Sequence, residues 1–363
     1  MKGGTTDVVL DCRWLPLWGA GRVTELLLRG LAEDPPPGSW TLWGPAAVED
    51  LAWHGARVAR DDRDPRDAFA QRAWLDVPPA RLTVFLHQQR PLRRLPSVTL
   101  VYDTIQLRWG GTPLERSLRG AFLRRSAAVS DTVVTISEHS RACVVRDLGV
   151  APGDVVVLPN PLDTVAADGL LERRRRSSAA DPYALFLGRF APHKNLDRLV
   201  AAFEQTEFRR RGGRLVLAGG TPEEARALAP ATTEAIEVRT HTADPGPVDD
   251  LLAGALFVVQ PSLEEGLGLP VVEALGAGVP VCVSDGGALP EVVAGVDGVA
   301  PPFPATSVPA MVAALDRVAA EAASGGRDYE DQLAEAARRR FATVPDYARR
   351  FRGVVERSLA AVG

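Results

Sequence analysis

Short apolar runs alternate with longer amphipathic stretches from one end of the chain to the other. Runs at 8–10, 83–86, 98–102, 132–136, 155–158, 184–187, 215–218, 256–259 and 279–283 predict strands. Several are apolar without interruption, the pattern of strands buried on both faces. Helices are predicted at 22–32, 138–147, 196–204 and 270–276. In the third of these, Leu196, Leu199, Val200 and Phe203 recur at i, i+3, i+4 and i+7, which makes one buried stripe. Alternation of this kind predicts parallel α/β units.

The rhythm breaks once. Between Asn160 and Asp181 a Pro-Asn-Pro turn is followed by four consecutive arginines at 173–176 and the polar stretch SSAADP. The arginine run reads as a solvated linker helix, because nothing basic or aromatic surrounds it. A chain of 363 residues exceeds what one hydrophobic core usually organises. The expected plan is therefore a first domain over 1–165, a linker over 166–181 and a second domain over 182–345. Each would be a doubly wound α/β layer facing the other across a cleft. At 346–363, Tyr347, Phe351, Val354, Val355, Leu359 and Val362 form a helical stripe with Asp346 as its expected N-cap.

Composition narrows the functions open to such a chain. Hydrophobic residues at 46% and charged residues at 24% suit a globular protein. A net charge of −4 excludes the strongly basic footprint of nucleic-acid binding, so no nucleic acid is expected as a partner. Cys12, Cys143 and Cys282 lie far apart and suggest neither a disulfide framework nor a zinc site. No apolar run approaches the roughly 18 residues of a membrane span, and the start lacks a leader's apolar region. The expectation is a soluble cytoplasmic protein that at most sits on the inner face of a membrane. Lys2 and Lys194 are the only lysines, and Asn160 and Asn195 the only asparagines. A Lys-Asn pair kept at 194–195 in so arginine-rich a chain marks that position for attention.

Two segments carry candidate chemistry. PSLEEGLGLPVVEALGAGVPVCVSDGGALPEVV, residues 261–293, runs from a buried strand through a glycine-bearing loop into a short helix. Pro270 suits the first helical position, and the N–H groups of Leu267, Gly268 and Leu269 would face an anion such as a phosphate. Gly266 and Gly268 permit close backbone approach to a ligand. Glu265 stands before the loop and Glu273 is expected in the helix's first turn, with seven residues between them. Both can face the crevice at the strand's carboxyl end, where open α/β sheets bind ligands. Carboxylates cannot neutralise phosphate, so their expected work is to accept hydrogen bonds from sugar hydroxyls. In LFLGRFAPHKNL, residues 185–196, a strand ends at Gly188 and a basic loop follows. Arg189, as a planar fork, and Lys194, as a point charge, can together hold a diphosphate.

These segments resemble the glycosyl transferase group 1 family, retaining enzymes of the two-Rossmann GT-B fold that use nucleotide sugars without a catalytic metal. GRFAPHKN at 188–195, PSLEEGLGLPVVEALGAGVPV at 261–281 and SDGGALPEVV at 284–293 carry the resemblance. SEHSR at 137–141, LPNPLD at 158–163, WGAGR at 18–22 and VYDTIQL at 101–107 extend it. The resemblance implies that Glu273 binds the ribose hydroxyls and Glu265 the transferred sugar. Arg189 and Lys194 would hold the diphosphate, with Gly188, Asn195 and the backbone of Gly266, Leu267, Gly268 and Leu269 completing the donor site. It further implies that Gly19 and Gly21 border the reaction centre and that Asp103 takes part in it. The C-terminal helix would cross back onto the N-terminal, acceptor-side domain. Tyr102 stands where relatives mostly carry His before that Asp, and Leu267 where they carry Phe.

The remaining candidates are weaker. Asp62-Arg63-Asp64 matches an acidic manganese-binding triplet of another glycosyltransferase fold, but it lies in a polar turn. His87, His139 and His193 are candidates without a motif of their own. Gly219-Gly220 lacks the full dinucleotide fingerprint. The expected activity is retaining transfer of a hexose-type sugar to a saccharide, lipid-linked or small-molecule acceptor, with no cofactor and no metal. The setting would be bacterial surface polysaccharide, glycolipid or natural-product glycoside synthesis. A nucleotide-sugar epimerase of the same plan and a non-catalytic nucleotide-sugar-binding subunit are the alternatives.

Overall fold

Apolar residues at both faces of nearly every central strand dictate the architecture. The computed structural model describes residues 6–15, 18–65, 77–176, 181–228, 233–240 and 246–362. The chain divides into two compact units, Met1–Pro161 with Ala342–Gly363, and Leu162–Phe341.

The first unit opens with β1 (Thr6–Asp11), α1 (Trp18–Glu33), β2 (Trp40–Gly44) and β3 (Arg57–Arg60). It continues with β4 (Ala80–Phe85), β5 (Ser97–Leu100), α2 (Pro113–Ala128), β6 (Thr132–Thr135), α3 (Glu138–Leu148) and β7 (Val155–Val157). Among the described residues the seven strands form one sheet in the order β3-β2-β1-β4-β5-β6-β7, every pair parallel. Val9, Leu10, Val84 and Val98 are fully buried in it.

The second unit holds α4 (Thr164–Arg176), β8 (Tyr183–Leu187), α5 (Leu196–Phe203), α6 (Glu207–Arg210), β9 (Arg214–Ala218) and α7 (Pro222–Leu228). After these come β10 (Ile236–Arg239), α8 (Gly246–Gly254), β11 (Phe257–Gln260), α9 (Leu269–Gly276), β12 (Val281–Val283), α10 (Leu289–Val293) and α11 (Val308–Arg340). Its described strands run parallel in the order β10-β9-β8-β11-β12. The chain winds outward from β8 to β10, then crosses back to β11. The carboxyl ends of β8 and β11 therefore flank a topological switch point, where such sheets open a ligand crevice. The stripe on α5 is buried as the sequence predicts, with Leu196, Leu199, Val200 and Phe203 at most 5% exposed.

The last helix, α12 (Val344–Ala361), belongs to the first unit and packs on α1. The two helices touch at Gly30, where an added Cβ would lie 2.7 Å from the Ala348 Cβ and 2.8 Å from the Val344 carbonyl oxygen. Tyr347, Phe351, Val354 and Val355 are buried there, while Val362 is exposed. The N-cap is Thr343 rather than Asp346: its hydroxyl accepts from the Asp346 N–H and donates to the Asp346 carboxylate at 2.8 Å.

Residues 164–176, mostly within the expected linker, form a helix of the second unit with Ala167, Leu170 and Leu171 buried. Its four arginines are held by ion pairs, Arg173 with Asp250, Arg174 with Glu330, Arg175 with Asp331 and Arg176 with Glu172. The polar stretch at 177–180 lies outside the described residues. Strands β2, β3 and β10 and the helices α2, α6, α7, α8, α10 and α11 were not predicted. Arg57 and Arg60 are exposed on edge strand β3, and such charges read as loop in a sequence.

Candidate donor site

The site grows from the loops that follow β8 and β11. After β8 the chain turns at Gly188, passes through a short turn at Pro192–Lys194 and enters α5. Asn195 joins turn to helix with φ +61°, the left-handed region that asparagine tolerates better than other side-chain-bearing residues. Its Nδ2 donates to the Pro261 carbonyl at 3.0 Å and the Ala305 carbonyl at 2.8 Å, while its Oδ1 accepts from Arg198 at 2.8 Å. The Leu263 N–H donates to the His193 carbonyl at 2.7 Å. The two loops are thus stitched together, and Asn195 clamps them with its whole amide.

This stitching brings Lys194 and Glu265 into contact. The Lys194 ammonium lies 2.5 Å from Glu265 Oε1, and both side chains are largely buried. The same Oε1 accepts from Gln260 Nε2 at 2.6 Å and from Ser262 Oγ at 2.8 Å, and Gln260 also donates to Ser262 Oγ at 3.0 Å. Three donors converge on one oxygen, and no donor among the described residues reaches Oε2. Burial would raise the Glu265 pKa, but the Lys194 charge and the three hydrogen bonds outweigh it and hold the carboxyl below its ordinary value. Gln260 and Ser262 escaped the sequence reading. The one available signal was a glutamine closing the otherwise apolar run FVVQ of β11.

Behind Glu265 runs the Ser284–Ala288 turn that follows β12. A Cβ on Gly286 would lie 1.9 Å from the Ser262 carbonyl oxygen, and one on Gly287 (φ +63°) 2.3 Å from the Glu265 nitrogen. The Ala288 N–H donates to the Glu265 carbonyl at 3.0 Å, and Ser284 Oγ donates to the Ser262 carbonyl at 2.6 Å. The paired glycines of SDGGA are therefore the wall against which the Glu265 backbone lies.

Gly266, Leu267 and Gly268 are buried, and Gly268 caps α9 with φ +93°. The helix starts at Leu269 with Pro270 in its first turn, so the first N–H groups keep no partner inside the helix. Glu273 sits in the second turn, not the first as expected, because the helix begins one residue early. It is half-buried, whereas its neighbours Val271, Val272, Ala274 and Leu275 are buried. Arg189 does not join Lys194 on a common partner: its guanidinium, 65% exposed, lies 3.4 Å from Glu224 on α7. His193 is pressed to about 4 by burial and by the adjacent Lys194 charge.

In the first unit, Gly19 and Gly21 lie within the first turn of α1, which starts at Trp18 and not at residue 22. A Cβ on Gly21 would strike the Leu15 carbonyl at 2.2 Å, whereas Gly19 faces open space. The Asp103 carboxylate accepts from the Ile105 N–H at 3.0 Å, a turn-forming bond. Tyr102 is near His87, whose ring stacks on Trp14 at 3.8 Å between centroids. Burial holds the His87 imidazole down at about 3, and its Nδ1 accepts from the Gln89 N–H. Asp62 bonds to Arg60 and to the Ala46 N–H, as a structural turn would.

Two parallel Rossmann-like units of this kind define the GT-B class of fold. Sucrose-phosphate synthase from Thermosynechococcus elongatus superposes with a TM-score of 0.73 at 19% identity, covering 99% of this chain and 100% of that one. An Anabaena protein solved in complex with UDP-glucose gives 0.67 at 15% identity, over 98% of this chain and 100% of that one. Residues 171–340, which contain the whole Lys194–Glu265 constellation, match the family model described as Glycosyl transferases group 1. GDP-mannose-dependent alpha-(1-6)-phosphatidylinositol monomannoside mannosyltransferase of Mycobacterium tuberculosis is 30% identical over 244 residues, 60% of this chain. The chain spans 60% of the length of that relative. The second unit thus resembles the glycosyl transferases group 1 family over residues 171–340.

Proposed function

We propose that this protein transfers a hexose-type sugar from a nucleoside-diphosphate sugar to an acceptor hydroxyl, with retention at the anomeric carbon. The observation that carries the reading is Glu265, ionised, held by Lys194, Gln260 and Ser262 through one oxygen, with the other free to accept a sugar hydroxyl. Lys194 has three N–H donors and Glu265 occupies one, which leaves the ammonium able to meet a phosphate oxygen as well.

In this reading the diphosphate sits at the N-terminus of α9, facing the N–H groups of Leu267, Gly268 and Leu269. Glu273 accepts from the ribose hydroxyls, and Arg189 swings from Glu224 to the phosphates. The bond from the anomeric carbon to the phosphate oxygen breaks, and its electron pair leaves with the diphosphate. Lys194, Arg189 and the α9 N–H groups stabilise that charge, so we assign no metal and no cofactor to the step. The acceptor oxygen bonds to the same face, and its proton passes to the departing phosphate. For Gly19, Gly21 and Asp103 the support is the family resemblance alone. Gly188 and Asn195 act by shaping the loop that presents Lys194. The mycobacterial relative makes GDP-mannose the first donor to test and a glycolipid or surface polysaccharide the first acceptor class.

Donor binding and turnover test the proposal together. Lys194→Ala is expected to lower kcat with GDP-mannose or another accepted donor about 10²–10³-fold, the usual loss on removing one preorganised donor. EDTA is expected to leave the rate unchanged, and product NMR to show the donor's anomeric configuration. If no UDP, GDP, ADP or dTDP sugar raises the melting temperature and Glu273→Ala alters nothing, the reading is wrong. A changed sugar nucleotide formed without acceptor would indicate an epimerase instead.

A further inference from the structure

The first unit has a switch point of its own. Its chain winds outward from β1 to β3, then crosses back to β4 beside β1. The carboxyl ends of β1 and β4 therefore flank the place where such a sheet opens a ligand crevice. Trp14 follows the first of these strands, His87, Gln88 and Gln89 the second, and Tyr102 the adjacent β5. The Trp14 and His87 rings stack at 3.8 Å between centroids. These same segments carry four buried polar atoms with no hydrogen-bond partner among the described residues: Trp14 Nε1, Gln88 Oε1, Gln89 Oε1 and the Tyr102 hydroxyl. Trp14 and Gln88 are only 9% and 7% exposed. Each such atom costs stability, and native proteins leave few of them. The cations of these segments are already taken. Arg13 forks onto Asp11 at 2.8 and 2.7 Å and stacks on Trp43. Arg90, fully buried, donates to Ser97, Thr99 and Ser130 and to the Pro91 and Arg93 carbonyls, which pins the loop carrying His87. Burial keeps His87 uncharged, at about 3.

We propose that these segments receive the acceptor as an uncharged sugar ring, and that Trp14, Gln88, Gln89 and Tyr102 select it against phosphorylated acceptors. The lining offers one donor, two acceptors and a hydroxyl that can be either, beside aromatic rings. Sugar hydroxyls meet all four, since each donates and accepts. A phosphate entering here gives up its hydration with no cation of these segments to replace it. The inference rests on the transferase reading, which supplies the acceptor, and narrows that acceptor to a neutral saccharide.

Saturation-transfer NMR on the full chain tests it without donor or turnover. The probes are the methyl α-pyranosides of mannose, glucose and galactose, with mannose-6-phosphate as the charged counterpart. At least one methyl glycoside is expected to bind, and mannose-6-phosphate to show no transfer. Tyr102→Phe, Gln88→Leu and Gln89→Leu are each expected to weaken binding of that glycoside about fivefold, the worth of one hydrogen bond. Because the atoms removed have no partner in the free protein, the melting temperature should stay at the parent value or rise, which a structural role would not allow. Binding of mannose-6-phosphate as tight as that of the glycoside, or no binding of any glycoside, overturns the proposal. So does a signal lost in Glu265→Gln but kept in the three variants, which would put the sugar in the donor site. Nucleotide sugars are tested separately by their melting shift, so failure of the transferase reading shows there and failure of this inference shows here.

Discussion

One oxygen of the Glu265 carboxylate is crowded by Lys194, Gln260 and Ser262, and that crowding sets how the site should respond to acid. A carboxyl whose folded pKa is depressed contributes stability above its ordinary value, here 4.5, and loses it as pH falls through the folded value. Replacing Gln260 by Leu and Ser262 by Ala removes two donors and leaves the burial, so the carboxyl should protonate at higher pH. The acid limb of kcat/KM is expected to move up by about one unit, while Ser262→Thr keeps the hydroxyl and the parent profile. An unmoved acid limb in the double variant would show that these side chains do no more than fill space. Neither His87, near 3, nor His193, near 4, should contribute an inflection close to the ordinary imidazole value of 6.5. Lys194 and Glu265 were legible in the sequence because an isolated lysine and a glycine-flanked glutamate stand out. Gln260 and Ser262 were not, since only the fold decides that a strand-end glutamine and a loop serine aim at the same oxygen.

Among elements, the turn after β12 controls the loop after β11 by contact. Gly287 and Gly295 both have positive φ, at +63° and +73°, but a Cβ on Gly287 meets the Glu265 backbone and one on Gly295 meets nothing within 4 Å. Gly295→Ala should therefore carry only the backbone strain, about 1 kcal/mol, with activity kept. Gly287→Ala adds a clash, and its expected result is a larger fall in melting temperature together with lost donor binding. Equal effects in the two variants would mean that the wall does not position Glu265. Apolar composition, rather than place in the sheet, made strands legible, for the edges β7 and β12 are apolar runs and were foreseen. Central β1, β4, β8 and β11 are apolar on both faces and announce themselves. β3 and β10 are edges with charged residues at their exposed positions, so their pairing partner, not their composition, makes them strands.

For the whole molecule, the return of α12 makes the first unit depend on the last residues of the chain. A chain ended at Phe341 would bare the α1 surface around Gly30 that Val344 and Ala348 cover. Limited proteolysis of that truncation is expected to digest the first unit and leave a resistant fragment close to Leu162–Phe341, identifiable by mass. Survival of the first unit would show that α12 is an accessory. The segment expected as a linker was misread at this scale too: the arginines of α4 meet carboxylates on α8 and α11 that are distant in sequence. The ion pair of Lys194 with Glu265 has a practical consequence as well. With Lys2 the only other lysine, reagents that acylate ε-amino groups find one target inside the folded second unit, and it is 15% exposed. Amine labelling followed by peptide mapping thus offers a built-in gauge of donor occupancy, needing neither an introduced probe nor a known acceptor.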